Sequence, residues 1–336
     1  MQIAIAGAGL VGRLLGWRLS QHGHEVTLYE SAPAEAPQSA AHVAAAMLAP
    51  LSELPDATAE VYELGLRSLA LWPAILTELD VPFGMSGPIF VAHGSDAALL
   101  DKFQRSVTRK GALTPRWLNP TELADCEPEL AASFGRALLL PEEGWLDNRK
   151  LLTALEARCG EIHYGCAVDP ADLAGDCVID CRGSGSDDPG LRSVRGEVIR
   201  VSAPEVGLTR PVRLMHPRYQ IYIVPRPGHE FVIGATQIES SDTTGMSVRS
   251  ALELLSAAFT VHSGFAEAEI VEMNVGLRSA YADHQPRVHW RDRVLSVNGL
   301  YRHGFLVAPA LIEDVQEELA TEGARPACSA LLTANQ

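Results

Sequence analysis

The run that most constrains this chain is its first thirty residues, MQIAIAGAGLVGRLLGWRLSQHGHEVTLYE. Gln2 to Ala6 reads as a short buried strand, and Gly7, Gly9 and Gly12 follow it at once in the spacing G-x-G-x-x-G. A helix is expected from about Leu10 to His22. His22-Gly23-His24 then turns the chain into a second strand, Glu25 to Tyr29, closed by the acid Glu30. Each part has a physical task in holding an adenine dinucleotide. Gly7 permits the tight turn, Gly9 lets backbone approach a pyrophosphate, and Gly12 lets helix and strand pack closely. The helix start, with Leu10 and Val11, offers unpaired N–H groups and partial positive charge to phosphates. Glu30 accepts hydrogen bonds from ribose hydroxyls and would repel a 2′-phosphate, which disfavours NADP. NAD and FAD both remain open at this point.

The chain has 336 residues, 47% of them hydrophobic and 21% charged, within the ordinary range of a globular enzyme. A net charge of −15 disfavours nucleic acid and anionic membrane surfaces as partners. No apolar run has the length of a membrane span, and the N-terminus enters a strand with no basic leader, so a cytoplasmic protein is expected. Cys126, Cys159, Cys166, Cys177, Cys181 and Cys328 form no CxxC and no zinc spacing, which suits scattered reduced thiols and no metal.

Taken in order, Ser31 to Ala41 reads as a loop. The small residues of HVAAAMLAP (42–50) allow two readings: backbone pressed against a flat ring, or the start of a buried Ala-rich helix. Helices are expected over Glu60–Leu79, over Asp96–Lys110 with Ser95 as N-cap, and from Pro120 with Asn119 as cap. Ala137–Leu140 reads as a strand, Asn148–Arg158 as a helix capped by Asp147, and Glu161–Val168 and Asp176–Asp180 as strands. The turn Cys181-Arg182-Gly183-Ser184-Gly185 gives backbone a second place to approach a ligand. Strands are expected at Val194–Val201, Gln220–Pro225, Phe231–Ala235, Glu269–Val275 and Val294–Val297. Helices are expected at Ser247–Phe259 and Leu306–Leu319. The nucleotide-binding pieces are therefore split by β-rich blocks, whereas NAD dehydrogenases usually keep theirs contiguous. That split points to FAD and to a mixed α/β fold, a Rossmann-like FAD-binding domain with an inserted antiparallel-sheet substrate domain. The division expected is 1–80, 137–195 and 290–325 for the first, and 81–136 with 196–289 for the second.

Three segments carry candidate chemistry: Tyr222 in YIVPR, Arg278 in GLRS, and Arg302-His303-Gly304-Phe305-Leu306 in NGLYRHGFLVAPA. Arg278 is expected just past an apolar strand, at a sheet end. The third segment aims helix N–H groups at an anion. By spacing alone these residues are unremarkable. A strand-end arginine is commonly a surface ion pair, a strand tyrosine commonly packs, and a lone histidine such as His42, His216 or His303 is usually not catalytic.

Together the pieces IAGAGLVG…LYE, HVAAAMLAP, VRGEVIRV, YIVPRPGHEFVIGAT, GLRSAYADHQPRV and NGLYRHGFLVAPAL resemble the D-amino-acid oxidase family of FAD-dependent oxidoreductases, most closely its glycine oxidase branch. They span nearly the whole chain in the family's order. The resemblance implies non-covalent FAD and oxidation of glycine or another small amino acid or amine. A hydride would pass from the substrate Cα to flavin N5, with peroxide released by oxygen and with a place in thiamine thiazole synthesis. It implies that Arg278 and Tyr222 hold the substrate carboxylate and that the main chain around Arg302 and His303 accepts from the amine. Ala44, Ala45 and Met47 would line the ring, and Val168, Gly183 and His303–Leu306 would touch the cofactor. It also makes a homo-oligomer the family precedent. The chain departs from the family at Ala46, where Gly is common, and at CRGSG, where an Ala-Gly-aromatic turn is usual. No cysteine stands between Cys181 and Cys328, which argues against covalent flavin. Two other functions fit the same residues: a dehydrogenase feeding a carrier, and a non-catalytic flavin-binding module.

Overall fold

The computed structural model describes residues 1–34, 39–111, 113–218 and 220–322. The tail after Glu322, with Cys328, lies outside them, as do four residues of the expected loop at 31–41.

The opening unit is β1 (Gln2–Ala6), α1 (Leu10–Gln21) and β2 (Glu25–Tyr29), with Ile3 opposite Val26 and Ile5 opposite Leu28 in parallel register. Strands buried on both faces need continuous apolar runs, and Ile3, Ile5, Val26 and Leu28 are all buried. The next stretch holds α2 (Ala40–Val43), β3 (Met47–Leu48), α3 (Pro50–Glu53), α4 (Ala59–Glu78), β4 (Phe83–Gly84) and β5 (Ile89–Val91). Then come α5 (Ala98–Lys110), β6 (Arg116–Leu118), α6 (Pro120–Cys126), α7 (Pro128–Ala131), β7 (Ala137–Leu139), β8 (Gly144–Leu146), α8 (Asn148–Glu156) and β9 (Glu161–His163). Asn119 caps α6 in a reciprocal capping box with Glu122, and Asp147 caps α8 through the N–H groups of Arg149 and Lys150. Ser95 caps nothing: it sits inside a short 3₁₀ turn, and α5 starts from Ala97 with no side-chain cap.

The second half holds β10 (Cys177–Asp180), β11 (Arg192–Ser202), β12 (Val212–Met215), β13 (Gln220–Arg226), β14 (Glu230–Gly234), α9 (Val248–Val261), β15 (Glu269–Ala280), β16 (Arg287–Arg291), β17 (Val294–Asn298) and α10 (Gly304–Glu322). Three sheets result. A six-stranded sheet runs β16-β17-β10-β1-β2-β9, parallel except for β16. An eight-stranded sheet runs β15-β11-β14-β13-β12-β5-β7-β6, antiparallel except for the β12–β5 pair. A small antiparallel sheet, β3-β8-β4, carries the segment after α2.

Several expectations are corrected. β15 runs on through Ala280, so Arg278 stands inside a strand, opposite Val194, and not beyond its end. Cross-strand partners from β11 extend the ladder past the apolar stretch that set the expected limit. β9 stops at His163, and the chain to Val168 is irregular. β12 carries Arg213 within VRLM, a mixed pattern that hid it from the sequence reading. β7, grouped by sequence with the nucleotide-binding pieces, hydrogen-bonds in the eight-stranded sheet, while β16 joins the six-stranded one.

Candidate active site

One cavity of about 1620 Å³ runs from the β1–α1 turn to the face of the eight-stranded sheet. It exceeds the roughly 300–1,000 Å³ of most small-ligand pockets, as a dinucleotide together with a substrate requires.

At the nucleotide end, Gly7 has φ +97°, a conformation that side-chain-bearing residues rarely adopt, and its N–H bonds Tyr29 O at 2.7 Å. Gly9 is the N-cap of α1, and no protein atom lies within 4 Å of where its Cβ would stand. Its missing side chain is therefore cavity. Gly12 is different. A Cβ there would stand 2.0 Å from Gly7 O, so Gly12 serves packing and does not line the cavity. Glu30 accepts from the Ala8 N–H at 2.9 Å and the Ala32 N–H at 3.0 Å, and it lines the cavity together with Leu10, Val11, Val168 and Gly183. A carboxylate has about four lone-pair sites, which leaves capacity for hydroxyl donors.

The middle wall is the run 41–47. α2 ends at Val43, and Ala44, Ala45 and Ala46 continue without helix, so the buried-helix reading of this segment does not hold. Side chains from behind fasten its carbonyls. Asn148 Nδ2 donates to Ala41 O at 2.7 Å and to His42 O at 2.9 Å, and Arg226 Nη2 donates to Ala45 O at 2.7 Å. Arg200 in turn donates to Asn148 Oδ1 at 3.0 Å. Ala44, Ala45, Ala46 and Met47 all line the cavity, and Ala46 sits at φ +52°. A glycine at this place would carry that angle without strain. His42 also lines the cavity; burial first, then Arg149 and Arg200, lower its pKa to about 4.

At the far end the sheet face itself is the floor. Arg213, Tyr222 and Gly234 are direct cross-strand partners on β12, β13 and β14. Residues opposite each other share a face, so Arg213 and Tyr222 stand side by side. A Cβ at Gly234 would lie 2.8 Å from the Tyr222 hydroxyl, and one at Gly196 would lie 2.3–2.6 Å from the Arg278 guanidinium nitrogens. The two bare glycines form a trough in which Tyr222 and Arg278 lie flat. Neither glycine was a candidate from sequence, because the signal is only a side chain missing opposite a large one. Arg278 donates to Thr236 O from both Nη atoms at 3.2 Å, and it has no carboxylate partner among the described residues. Burial lowers its pKa, opposed by Tyr222 and Tyr301.

The third expected segment is divided by the structure. Gly304, Phe305 and Leu306 line the cavity at the start of α10, and Trp72 Nε1 anchors that turn by donating to Phe305 O at 2.7 Å. The Arg302 side chain is engaged elsewhere. Its Nε lies 2.6 Å from Glu53 Oε2, and its Nη2 lies 3.0 Å from Asp56 Oδ2. His303, expected at the cofactor, does not line the cavity. Its ring is buried, with Nδ1 3.8 Å from Glu53 Oε2, and burial lowers its pKa to about 4. The helix turn that exposes Gly304 swings the preceding side chain behind the wall. Glu53 was not read from sequence. Burial alone would raise its pKa, but Arg302 and Arg213, the latter at 3.3 Å, hold it at about 2. Behind it, fully buried Glu143 bonds the Ser52 N–H at 2.7 Å and the Ser52 hydroxyl, and burial pushes it up to about 8. Asn298 joins the segments: its Nδ2 donates to Gly183 O at 3.0 Å, while its Oδ1 accepts from Ser279 Oγ at 2.8 Å.

A bare Gly9, the open start of α1, the fastened Glu30 and a cavity of this length fit an extended dinucleotide with its ring against residues 44–47. The fold and cavity thus define a dinucleotide-binding α/β protein with a second, mostly antiparallel sheet that floors the far end of the cavity. The FAD dependent oxidoreductase family model, DAO, matches residues 2–316. A Rhizobium etli protein, provisionally named as the thiamine biosynthesis oxidoreductase ThiO, is 42% identical over 331 residues, covering 97% of this chain and 98% of its own length. The glycine oxidase of Geobacillus kaustophilus is 28% identical over 359 residues, covering 95% and 93%. The crystal structure of glycine oxidase from Geobacillus kaustophilus superposes with a TM-score of 0.83 at 25% identity, over 99% of this chain and 98% of that one. The chain belongs to the D-amino-acid oxidase family of FAD-dependent oxidoreductases, and FAD is its cofactor.

Proposed function

We propose that the protein oxidises glycine or a comparably small amino acid, using FAD and oxygen, and that it serves thiamine thiazole synthesis. The observation that carries the substrate class is Arg278: a guanidinium in the cavity, held by Thr236 O, with no acid paired to it among the described residues. A bidentate arginine–carboxylate pair satisfies it, and such a charge-assisted pair contributes about 1.5–3 kcal/mol net. The Tyr222 hydroxyl, whose pKa burial raises, stays a neutral donor beside it. Glu53 and Asp56, the carboxylates that reach the cavity from α3 and the turn after it, are both paired to arginines. The site therefore offers orientation and water exclusion, with no strong protein base. In this reading the substrate enters as its free amine and the main-chain carbonyl of Arg302 accepts from it. Bound FAD supplies the two-electron acceptor that oxygen regenerates. In this reading Gly9, Glu30 and the start of α1 hold the dinucleotide end, and residues 44–47 with Gly304–Leu306 hold the ring. Among the described residues no helix is long and apolar enough to cross a membrane, and the described cysteines are free, which suits a reducing cytoplasmic setting.

The test is anaerobic addition of glycine or sarcosine to the purified yellow protein. Bleaching of the flavin, and in air one peroxide per amine lost, is the expected result. A flavin that none of several small amino acids bleaches would refute the reading, and amine loss without peroxide would refute the use of oxygen.

A further inference from the structure

The Arg226 side chain is buried, yet no carboxylate is paired with it among the described residues. Its guanidinium lies over the Trp145 ring, 5.1 Å from the centroid, and donates to Pro225 O at 3.0 Å and Ala45 O at 2.7 Å, while Nε has no partner. Arg200, itself buried and bonded among the described residues to Asn148 Oδ1, adds like charge nearby, and burial with Arg200, opposed by the more distant charge of Asp147, lowers the Arg226 pKa to about 9. A buried cation with no directly paired carboxylate is costly, so this one invites a role.

The geometry of the peptide it touches supplies one. The 45–46 bond is trans, and in a trans peptide N–H and C=O point opposite ways. The Ala45 carbonyl is turned back onto Arg226, so the Ala46 N–H is turned toward the cavity that both residues line. Among the described residues no acceptor takes that N–H. Ala46 reaches this arrangement at φ +52°. A cation on the carbonyl oxygen polarises the peptide and strengthens the donor on its other side.

We propose that Arg226 acts through the 45–46 peptide as an electrostatic positioning residue, presenting a polarised N–H and a buried positive charge to the flavin ring and favouring its electron-rich, reduced form. The inference rests on the ring lying against residues 44–47. Arg226 itself does not line the cavity, so it acts through the peptide.

The test compares holoenzymes of wild type, Arg226→Lys, Arg226→Gln and Arg226→Met by the reduction potential of the bound flavin and its affinity for sulfite. Loss of the charge should make the potential more negative and weaken sulfite binding on the order of tenfold. Lys, which keeps a cation, should stay near wild type; Gln, which keeps a donor without charge, should behave like Met. Should Met fail to fold, the Lys–Gln contrast decides. Neutral variants that hold FAD with wild-type potential and sulfite affinity would overturn the proposal. Glycine bleaching by wild type tests the underlying placement separately: a wild-type flavin that glycine reduces, with potentials insensitive to Arg226, sinks this inference alone.

Discussion

The two ends of the cavity are built in opposite ways. The nucleotide end is local: β1, α1 and β2 lie within residues 2–29, and Gly7, Gly9 and Glu30 reach one site along a single turn of chain. The substrate end is assembled from afar. Arg213, Tyr222, Gly196, Arg278 and Glu53 come from β12, β13, β11, β15 and α3, brought together by sheet register and one ion-pair cluster. A local site is fixed by backbone conformation, and a non-local site by side chains that fit one another. Substitutions should therefore fail differently at the two ends.

The largest effect is expected at Glu53. Its side chain is 17% exposed and shared by Arg302 and Arg213, so Glu53→Ala strands two cations. Breaking such a buried pair costs about 3–5 kcal/mol, and thermal unfolding should show it as a large drop in Tm. A Tm within a degree of wild type would mean that the cluster does not hold the substrate end together.

Next comes a contrast inside the nucleotide end. Gly12→Ala forces a methyl against Gly7 O, which is backbone and cannot swing away, so the apoprotein should lose about 1–3 kcal/mol. Gly9→Ala meets no protein atom and should leave apoprotein stability within about 0.5 kcal/mol while weakening FAD binding. Equal effects of the two on the apoprotein would erase the distinction between packing and ligand glycines.

Glu143 sharpens the comparison through pH. Its folded pKa, near 8, lies above the unfolded value near 4.5. Its contribution to stability is therefore fully present below pH 4.5 and is lost as pH rises toward 8. Glu143→Gln keeps the bonds to Ser52 without a proton to lose. The Tm difference between variant and wild type should grow in favour of the variant from pH 5 to pH 8; a constant difference would contradict the buried neutral acid. The smallest effect is Ala46→Gly, which relieves φ +52° and should stabilise by less than about 1 kcal/mol, read as a small rise in Tm.

The same contrast explains what the sequence reveals. Gly7, Gly9, Gly12 and Glu30 are legible because their spacing alone sets their geometry. Arg278 and Tyr222 are legible only through resemblance. Their partners Gly196 and Gly234 carry no side chain to notice, and β12, with Arg213, lacks alternation. His303 was misplaced because a helix turn separates neighbours in sequence onto opposite sides of a wall, and Ser95 because a 3₁₀ turn took the place of the expected cap. Glu53 and Arg226 depend on contacts more than 150 residues apart in sequence, which no local pattern records.

The central claim is that Arg278 is a free cation waiting for a carboxylate. Anaerobic glycine titration of Arg278→Ala measures it directly. The account predicts a protein that stays yellow and folded but needs roughly ten- to 150-fold more glycine for half-bleaching, the equivalent of about 1.5–3 kcal/mol. A half-bleaching concentration equal to that of wild type would contradict it.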